Sequence, residues 1–250
     1  MSINTLYTIA DYSIQSNMVE DSILFKYNSP SLNFATGAPS YIMKDLSRQF
    51  NEGFSFWFYT SNVTTFTIKI LLGCDDLGNG YAIELSQYNI KLITISTFVE
   101  SAVILDQYIY PWLLNSHWHN MKLLISNGKI EFFINDGSIL QYNEFVKVGD
   151  HFGYHNNNSP VTMYISDTIW YDDQIVWGNV NVNGANNQDG FVLLYKQIDL
   201  ILHQSTITDI NGNWMMLMEE DPVEQNKHVL VGGITSDDNL QPKGISSVTL

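Results

Sequence analysis

Two histidines, His117 and His119, flank a tryptophan in the segment SHWHNMKLLISNGKIEFFINDGS. Residues two apart on a β-strand point to the same side, so an H-x-H pair can supply two of the nitrogen ligands that zinc prefers. A third ligand would have to come from His151 or His155. His119, however, has the parity of the apolar residues that follow it, which predicts that it faces the core. We therefore interpret the pair as part of the scaffold and predict no catalytic metal.

The segment GCDDLGNG (73–80) is the second candidate site for an ion. Asp75, Asp76 and Asn79 offer hard oxygen ligands in a glycine-containing loop, which is the chemistry that calcium prefers. The segment lacks the full D-x-D-x-D-G pattern, and hairpin turns also favour Asp, Gly and Asn. The turn is the favoured interpretation, and calcium is the one cofactor that the sequence leaves open.

Aromatic and amide side chains form a third candidate site, which would bind carbohydrate. Tyr108, Tyr110 and Trp112 lie in the Pro-broken stretch DQYIYPWLLNSHW, and Asn156 and Asn157 lie in GYHNNNSP. Flat apolar rings can stack on sugars while amides hydrogen-bond to hydroxyl groups. In the other interpretation, which the sequence slightly favours, Trp112 closes the core beneath a loop, or this surface packs on a neighbouring subunit.

The motifs of common hydrolases are absent from the sequence. Cleavage of a glycosidic bond needs two carboxylates at a set separation, and no E-x-D-x-E run places them along one strand. The acidic cluster MEEDPVE (218–224) contains a proline and is typical of a solvated loop. No G-x-S-x-G elbow or phosphate-binding glycine loop occurs. We predict that the protein is not an enzyme, with a glycan-degrading hydrolase as the alternative.

The charge balance excludes some partners. Among 250 residues, 26 are acidic and 11 are basic, which gives a net charge of −15. A field of this sign repels nucleic acid and anionic membranes. Cys74 is the only cysteine, so no intrachain disulfide forms, and the N-terminal sequence lacks a basic start and apolar core. We expect synthesis in a cytoplasm without export by a signal peptide, and no membrane insertion.

The elements that must position these residues are β-strands, because apolar residues recur with a period of two. In GFSFWFYT, Phe54, Phe56 and Phe58 fall on one face, whereas Ser55, Trp57 and Tyr59 fall on the other. The stretch MKLLISNGKIEFFINDG predicts a hairpin with a type I′ turn at Asn127-Gly128. The fold class is therefore all-β.

A change in composition near residue 172 predicts a domain boundary. WYDDQIVWGNVNVNGANNQDG is rich in Asn and Gly, as is usual for linkers and long turns. We place one domain at 1–173 and a second at 174–250.

The order of motifs in the first domain resembles the laminin-G-like, concanavalin-A-like lectin group. The stretches that carry the resemblance are FSFWFYT, WHNMKLLISNGKIEFFINDG and FGYHNNNSPVTMYISDTIWYD, within about residues 20–173. The second domain resembles the carboxypeptidase-regulatory or transthyretin-like sandwich, through VWGNVNVNG, GFVLLYK and STITDINGNWMMLM. The resemblance implies a jelly-roll sandwich followed by a small immunoglobulin- or transthyretin-like β-sandwich.

Together the two domains resemble structural or adhesion proteins of bacteriophages. This resemblance implies a non-enzymatic virion component, such as a fibre, a tail or baseplate accessory protein, or a capsid decoration protein. Its expected partners are other virion proteins, a host-surface glycan and further copies of the chain, as a homo-oligomer. A purely structural assembly protein that binds no sugar is the alternative.

Overall fold

A computed structural model describes most of the first 172 residues and separate strands beyond them. The described residues are 2–28, 30–34, 38–46, 52–61, 66–108, 117–126, 128–157, 159–172, 175–179, 181–182, 185–186, 191–196, 202–207, 213–217, 228–236 and 239–246. They form an all-β protein in antiparallel sheets, as the alternating pattern predicts.

The first 172 residues contribute fifteen strands and one short 3₁₀ helix at Ile9–Asp11. The strands are β1 (Ser2–Leu6), β2 (Ile14–Ser16), β3 (Val19–Asp21), β4 (Ser31–Phe34), β5 (Ser40–Asp45), β6 (Glu52–Thr60), β7 (Thr67–Cys74), β8 (Gly80–Ser86), β9 (Asn89–Ser96), β10 (Val99–Tyr108), β11 (His119–Ser126), β12 (Lys129–Ile134), β13 (Gly137–Tyr142), β14 (His151–Asn156) and β15 (Met163–Asp172).

These strands build two sheets. One has eight strands in the order β13-β12-β11-β6-β15-β4-β3, with β1 also paired to β15. The other has seven strands in the order β10-β9-β8-β7-β14-β5-β2. Strands distant in sequence are neighbours in both sheets, because the chain crosses repeatedly between them. This is the jelly-roll type of sandwich that the sequence predicts.

A single large core lies between the two sheets. Phe54, Phe56 and Phe58 are fully buried in it, which confirms the predicted inner face of β6. The ring of Phe54 stacks on Phe152 of the opposite sheet, with centroids 3.7 Å apart. The alternate residues of β6 therefore lie on the outer face of the eight-stranded sheet.

The hairpin of β11 and β12 has the predicted register. Met121, Leu123 and Ile125 are opposite Ile134, Phe132 and Ile130, respectively. Gly128 has a φ of +77°, as a two-residue I′ turn requires at that position. Asn135 and Asp136 also have positive φ, and they form the next tight turn, between β12 and β13.

The strands of the C-terminal region are also antiparallel. They are β16 (Ile175–Asn179), β17 (Asn181–Val182), β18 (Ala185–Asn186), β19 (Phe191–Lys196), β20 (Leu202–Ile207), β21 (Asn213–Leu217), β22 (His228–Ser236) and β23 (Asn239–Ser246). A four-stranded sheet has the order β20-β19-β22-β23, while β16 pairs with β21 and β17 with β18. The boundary near residue 174 stays a prediction.

The C-terminal region contacts the outer face of the eight-stranded sheet. Met215 of β21 is buried against Leu124, Phe133 and Tyr171. This contact covers one end of the face and defines what we call the covered patch: Leu124, Phe133 and Tyr171.

The outer face of the seven-stranded sheet carries a second small apolar cluster. Its buried members are Met43, Leu71, Cys74, Ala82, Ile93 and Ile95. Cys74 is a free thiol that is fully buried in this cluster. Among the described residues, no helix is long and apolar enough to cross a membrane.

Candidate functional site

Three aromatic rings lie in a line across neighbouring strands on the outer face of the eight-stranded sheet. Tyr59 of β6 is directly opposite Tyr164 of β15, and their ring centroids are 5.9 Å apart. Trp118, which immediately precedes β11, lies on the other side of Tyr59, with centroids 5.4 Å apart. All three side chains are partly exposed. We call Trp118, Tyr59 and Tyr164 the aromatic row.

The local sequence explains why these rings point outward. Phe58 and Phe56 occupy the inner face of β6, so Tyr59 and Trp57 must occupy the outer face. The sequence pattern therefore contained this site, although the carbohydrate prediction was placed on other aromatic residues. Only Trp118, the last residue of DQYIYPWLLNSHW, belongs to both regions.

Trp57 extends the aromatic surface along β6. The Tyr27 ring meets Trp57 edge-on, with centroids 5.5 Å apart and an interplanar angle of 82°. The Lys26 ammonium nitrogen lies 4.6 Å from the Trp57 ring centroid and 5.1 Å from the Tyr27 centroid. These distances are those of cation–π contacts.

Asp167 holds the loop that carries Lys26 and Tyr27. One of its carboxylate oxygens accepts a hydrogen bond from the Tyr27 N–H at 3.0 Å. The other accepts bonds from the Asn28 backbone and side-chain N–H groups, at 3.0 and 2.6 Å. Asp167 has a φ of +53° at an irregularity of β15, a conformation that Asp tolerates better than most residues. The irregularity thus turns an acidic side chain toward the loop.

Two asparagines lie beside the aromatic side chains. Asn120 is opposite Trp57, and its carboxamide makes no hydrogen bond with the part of the chain that the structure describes. Asn33 is opposite Tyr164, and its buried Oδ1 has no partner among the described residues. The outer face therefore combines flat apolar rings with the partly exposed carboxamide of Asn120, which is open to hydrogen bonds from a ligand.

The electrostatics of this face are uneven. Hydrogen bonds from the N–H groups of Leu24 and Ile23 lower the pKa of Asp21, on edge strand β3, so that this side chain is anionic at neutral pH. Burial, and then the negative charge of Asp21, raise the pKa of Tyr164. The face is thus negative near the β3 edge and carries a cation over Trp57.

Of the carbohydrate-binding residues predicted from the sequence, the structure describes the side chains of Asn156 and Asn157. Tyr110 and Trp112 lie outside the described residues, as does the side chain of Tyr108. Asn156 is fully buried at the end of β14, where its Oδ1 accepts a hydrogen bond from the Ser159 N–H at 2.8 Å. Its amide is therefore not at a surface where a sugar would bind. Asn157 is exposed, and its role stays a prediction.

The predicted calcium loop is closed by its own hydrogen bonds. Asp75 Oδ1 accepts bonds from the N–H groups of Leu77 and Asn79, at 3.0 and 2.8 Å, and Oδ2 accepts one from Asn79 Nδ2 at 2.9 Å. Burial opposes these bonds, but together they lower the pKa of Asp75. Asn79 Oδ1 accepts a further bond from Ser96 Oγ at 3.0 Å, and Asp76 is exposed. This is the bonding of a hairpin turn, and calcium binding by Asp75, Asp76 and Asn79 stays a prediction.

The histidines considered as zinc ligands are dispersed. His117 is exposed, whereas His119 is buried, with its Nδ1 3.1 Å from Asn135 Nδ2. His151 and His155 lie in the opposite sheet. Within the described residues, no group of three His, Cys, Asp or Glu side chains is placed to hold a metal ion.

A stack of three rings lies on the outer face of the seven-stranded sheet. Phe98 lies between Tyr41 and His155, at centroid distances of 4.8 and 4.9 Å. Phe98 has a φ of +64°, and its carbonyl accepts a hydrogen bond from the Lys69 ammonium at 2.8 Å. Burial, and then the positive charge of Lys69, lower the pKa of His155 to about 4. These groups bond and pack against one another, which is typical of a structural cluster.

No family model matches the sequence, and no curated protein matches it. Among solved structures, the chain is similar to the carbohydrate-binding module CBM66 from Bacillus subtilis, with a TM-score of 0.48 and 11% identity over 64% of this chain and 94% of that one. It is similar to the cellulose-induced protein Cip1, with a TM-score of 0.46 and 10% identity over 67% of this chain and 90% of that one. For the apo form of the Crh5 transglycosylase, the TM-score is 0.46 and the identity 8%, over 69% and 85% of the two chains. Values this low carry no argument about function.

Proposed function

We propose that the protein is a non-enzymatic glycan-binding protein whose binding surface is the aromatic row. The observation that carries the proposal is the line of partly exposed rings formed by Trp118, Tyr59 and Tyr164. The carboxamide of Asn120 lies nearby and makes no hydrogen bond with the described residues. A sugar ring has an apolar face that stacks on an aromatic ring and hydroxyl groups that bond to an amide. This surface offers both kinds of contact.

The carboxylates near the aromatic row support binding rather than hydrolysis. Those of Asp21 and Asp167 accept hydrogen bonds from backbone N–H groups of the loop at 23–28. A glycoside hydrolase needs one carboxyl group as an acid and a second as a base or nucleophile across the scissile bond. Carboxylates engaged in holding a loop are poorly suited to these roles.

The proposal extends to the biological setting, a bacteriophage virion. Its support is the resemblance of the two consecutive β-domains to phage adhesion proteins and the acidic, lysine-poor composition. In this setting, the glycan belongs to the host surface. Antibodies raised against the chain should label purified phage particles, and particles that lack the chain would contradict this part of the proposal.

The aromatic row is tested by glycan-array binding of the full chain, followed by calorimetric titration with the best ligand. Tyr59→Ala and Trp118→Ala should each weaken binding by about three- to tenfold, since stacking on one aromatic ring contributes on the order of 0.5–1.5 kcal/mol. Tyr88→Ala is the matched control, because Tyr88 is 46% exposed in the turn between β8 and β9 of the other sheet.

Two results would contradict the proposed binding surface. One is a chain that binds no glycan on the array, which would favour the structural assembly protein. The other is a glycan affinity that falls equally in Tyr59→Ala and Tyr88→Ala. Release of reducing ends from the bound glycan would instead support the hydrolase.

A further inference from the structure

We propose that the aromatic surface selects acidic glycans, and that Lys26 is the residue that recognises their anionic group. This inference rests on the proposed function, and it specifies the chemical class of the sugar: one that carries a carboxylate or a sulfate. The recognition element is the Lys26 ammonium, which lies over the ring of Trp57 and beside the aromatic row.

The first observation is that the Lys26 ammonium has no oxygen partner among the residues that the structure describes. Every other lysine whose side chain is described donates to a carbonyl or pairs with a carboxylate. The pairs are Lys44 with the Asp11 carbonyl, Lys69 with the Phe98 carbonyl, Lys91 with Glu84, Lys122 with Asp136, Lys129 with Glu131 and Lys147 with Glu52. Within the described residues, the Lys26 ammonium contacts only the rings of Trp57 and Tyr27.

The charge of the whole chain makes this lack of a partner informative. Acidic residues outnumber basic ones by 26 to 11, so a carboxylate partner would be easy to supply. The ammonium instead rests on ring faces, which leave its N–H groups free to bond to an oxygen above the surface. A cation held in this way can bind an external anion without first breaking an internal ion pair.

The second observation is that the backbone that carries Lys26 is held in place by hydrogen bonds. Its own N–H donates to Ser166 Oγ at 3.2 Å, and Ser166 Oγ in turn donates to Asp167 at 2.6 Å. The next two residues of the loop are bonded to the Asp167 carboxylate. The cost of ordering the loop is therefore met during folding, and it does not reduce the affinity for a ligand.

The third observation concerns the direction in which an acidic sugar would lie. Asp21 is on edge strand β3, three strands away from β6 in the sheet, and its charge is felt at Tyr164. An anionic group would be repelled at the β3 edge and attracted toward Lys26. The neutral part of the glycan would then lie along the aromatic row, with its acidic residue over Trp57.

The experiment uses the full chain and matched pairs of neutral and acidic probes. Lactose is compared with sialyllactose and with sulfated lactose, and cellobiose with cellobiouronic acid, by calorimetric titration at low and high salt. We expect at least one acidic probe to bind more tightly than its neutral parent, and Lys26→Gln to remove about three- to tenfold of its affinity. High salt should weaken the acidic probe selectively, because it screens the charge.

Three further variants separate charge from packing. Lys26→Arg should retain the preference, and Asp21→Asn should strengthen binding of the acidic probe. Lys91→Gln, on the other sheet, is the control and should leave all affinities unchanged, because its partner is Glu84. A preference for the carboxylated or for the sulfated probe would identify the anionic group.

The outcomes distinguish this inference from the proposed function. Neutral and acidic probes that bind equally, or a Lys26→Gln variant that keeps the preference, would overturn the inference and leave glycan binding by the aromatic row intact. Binding of no glycan on the array, neutral or acidic, would overturn both.

Discussion

His155 is buried on the outer face of the seven-stranded sheet, where its ring stacks on Phe98 and its Nδ1 has no hydrogen-bond partner among the described residues. Burial, together with the charge of Lys69, keeps the imidazole neutral down to a pKa of about 4. In the unfolded chain the same group takes up a proton near pH 6.5. The unfolded state therefore binds more protons between these two values, and the folded state loses stability as the pH falls through this window.

The first prediction follows from this difference. As the pH falls from about 6.5 to about 4, His155 should remove on the order of 2–3 kcal/mol from the free energy of unfolding. His155→Gln should lose less stability over the same range, as measured by urea unfolding at a series of pH values. His117→Gln, at an exposed position, should lose as much unfolding free energy as the parent protein over this pH range. This variant should also fold without bound zinc. The same dependence of the unfolding free energy on pH in the parent, His155→Gln and His117→Gln would refute this account.

The second prediction compares two glycines with the same backbone conformation. Gly78 and Gly128 both have a φ of +77°, so alanine at either position carries a backbone cost of roughly 1–2 kcal/mol. A Cβ at Gly78 would lie 2.6 Å from the ring of Phe98, whereas at Gly128 the nearest atom is 3.5 Å away. Gly78→Ala should therefore be less stable than Gly128→Ala by a further 1–2 kcal/mol or so, in urea unfolding. Equal urea midpoints for Gly78→Ala and Gly128→Ala would mean that the Phe98 ring moves aside at no cost in free energy.

At the residue scale, alternation predicted which way side chains point but not which of them meet. Trp57 and Tyr59 were correctly expected on the face of β6 opposite Phe56. Their convergence with Tyr164 and Lys26 depends on strand order, since β6 lies between β11 and β15. No local pattern encodes that order. The sequence-based prediction therefore named aromatic residues that are close in sequence and did not include the aromatic row. Carbohydrate binding by Tyr108, Tyr110 and Trp112 stays a prediction.

At the scale of elements, the loop at 22–28 depends on one distant residue. Asp167 accepts backbone hydrogen bonds from Tyr27 and Asn28, which are 140 and 139 positions away in the sequence. The hairpin of β11 and β12 was predictable, because its turn chemistry and alternation are adjacent in the chain. The attachment of this loop was not, because an Asp within a strand pattern does not reveal a positive φ.

The third prediction tests this attachment. Asp167→Ala should release the loop, which should then be cleaved faster in limited proteolysis, and the affinity for an acidic glycan should fall together with it. Asp136→Ala is the matched control, since Asp136 also has a positive φ, of +66°, but lies in an exposed turn. Its pattern of cleavage at residues 22–28 should match that of the parent. Equal protection of the loop in both variants would show that Asp167 does not hold it.

At the scale of the whole molecule, the two predicted domains touch through the covered patch. Met215 lies against Leu124, Phe133 and Tyr171, so part of the outer face is apolar because another element packs there. Composition indicated where the chain changes character, near residue 172. It did not indicate this contact, because the outward-facing Leu124 and Phe133 do not reveal in the sequence what packs on them.

The fourth prediction concerns the fragment 1–173. It should keep a β-type circular dichroism spectrum, because both large sheets lie within it, but it should self-associate through the exposed covered patch. Leu124→Thr in the fragment should reduce self-association in sedimentation experiments, whereas Tyr88→Ser, on the other sheet, should not. A fragment that loses its β-type spectrum would contradict the boundary near residue 174.

Because Cys74 is buried, the rate at which a thiol reagent modifies it reports how often the surrounding structure opens. Burial raises the pKa of its thiol to about 12, so the reactive thiolate is scarce while the chain is folded. A disulfide reagent such as dithionitrobenzoate should modify Cys74 only during openings that separate β7 and β8, and the rate of colour development would report how often these occur. Since Cys74 is the only cysteine, the signal comes from a single place. A cysteine introduced at an exposed position such as Tyr88 would react within the dead time, and a fluorophore could be attached there while Cys74 stays unmodified.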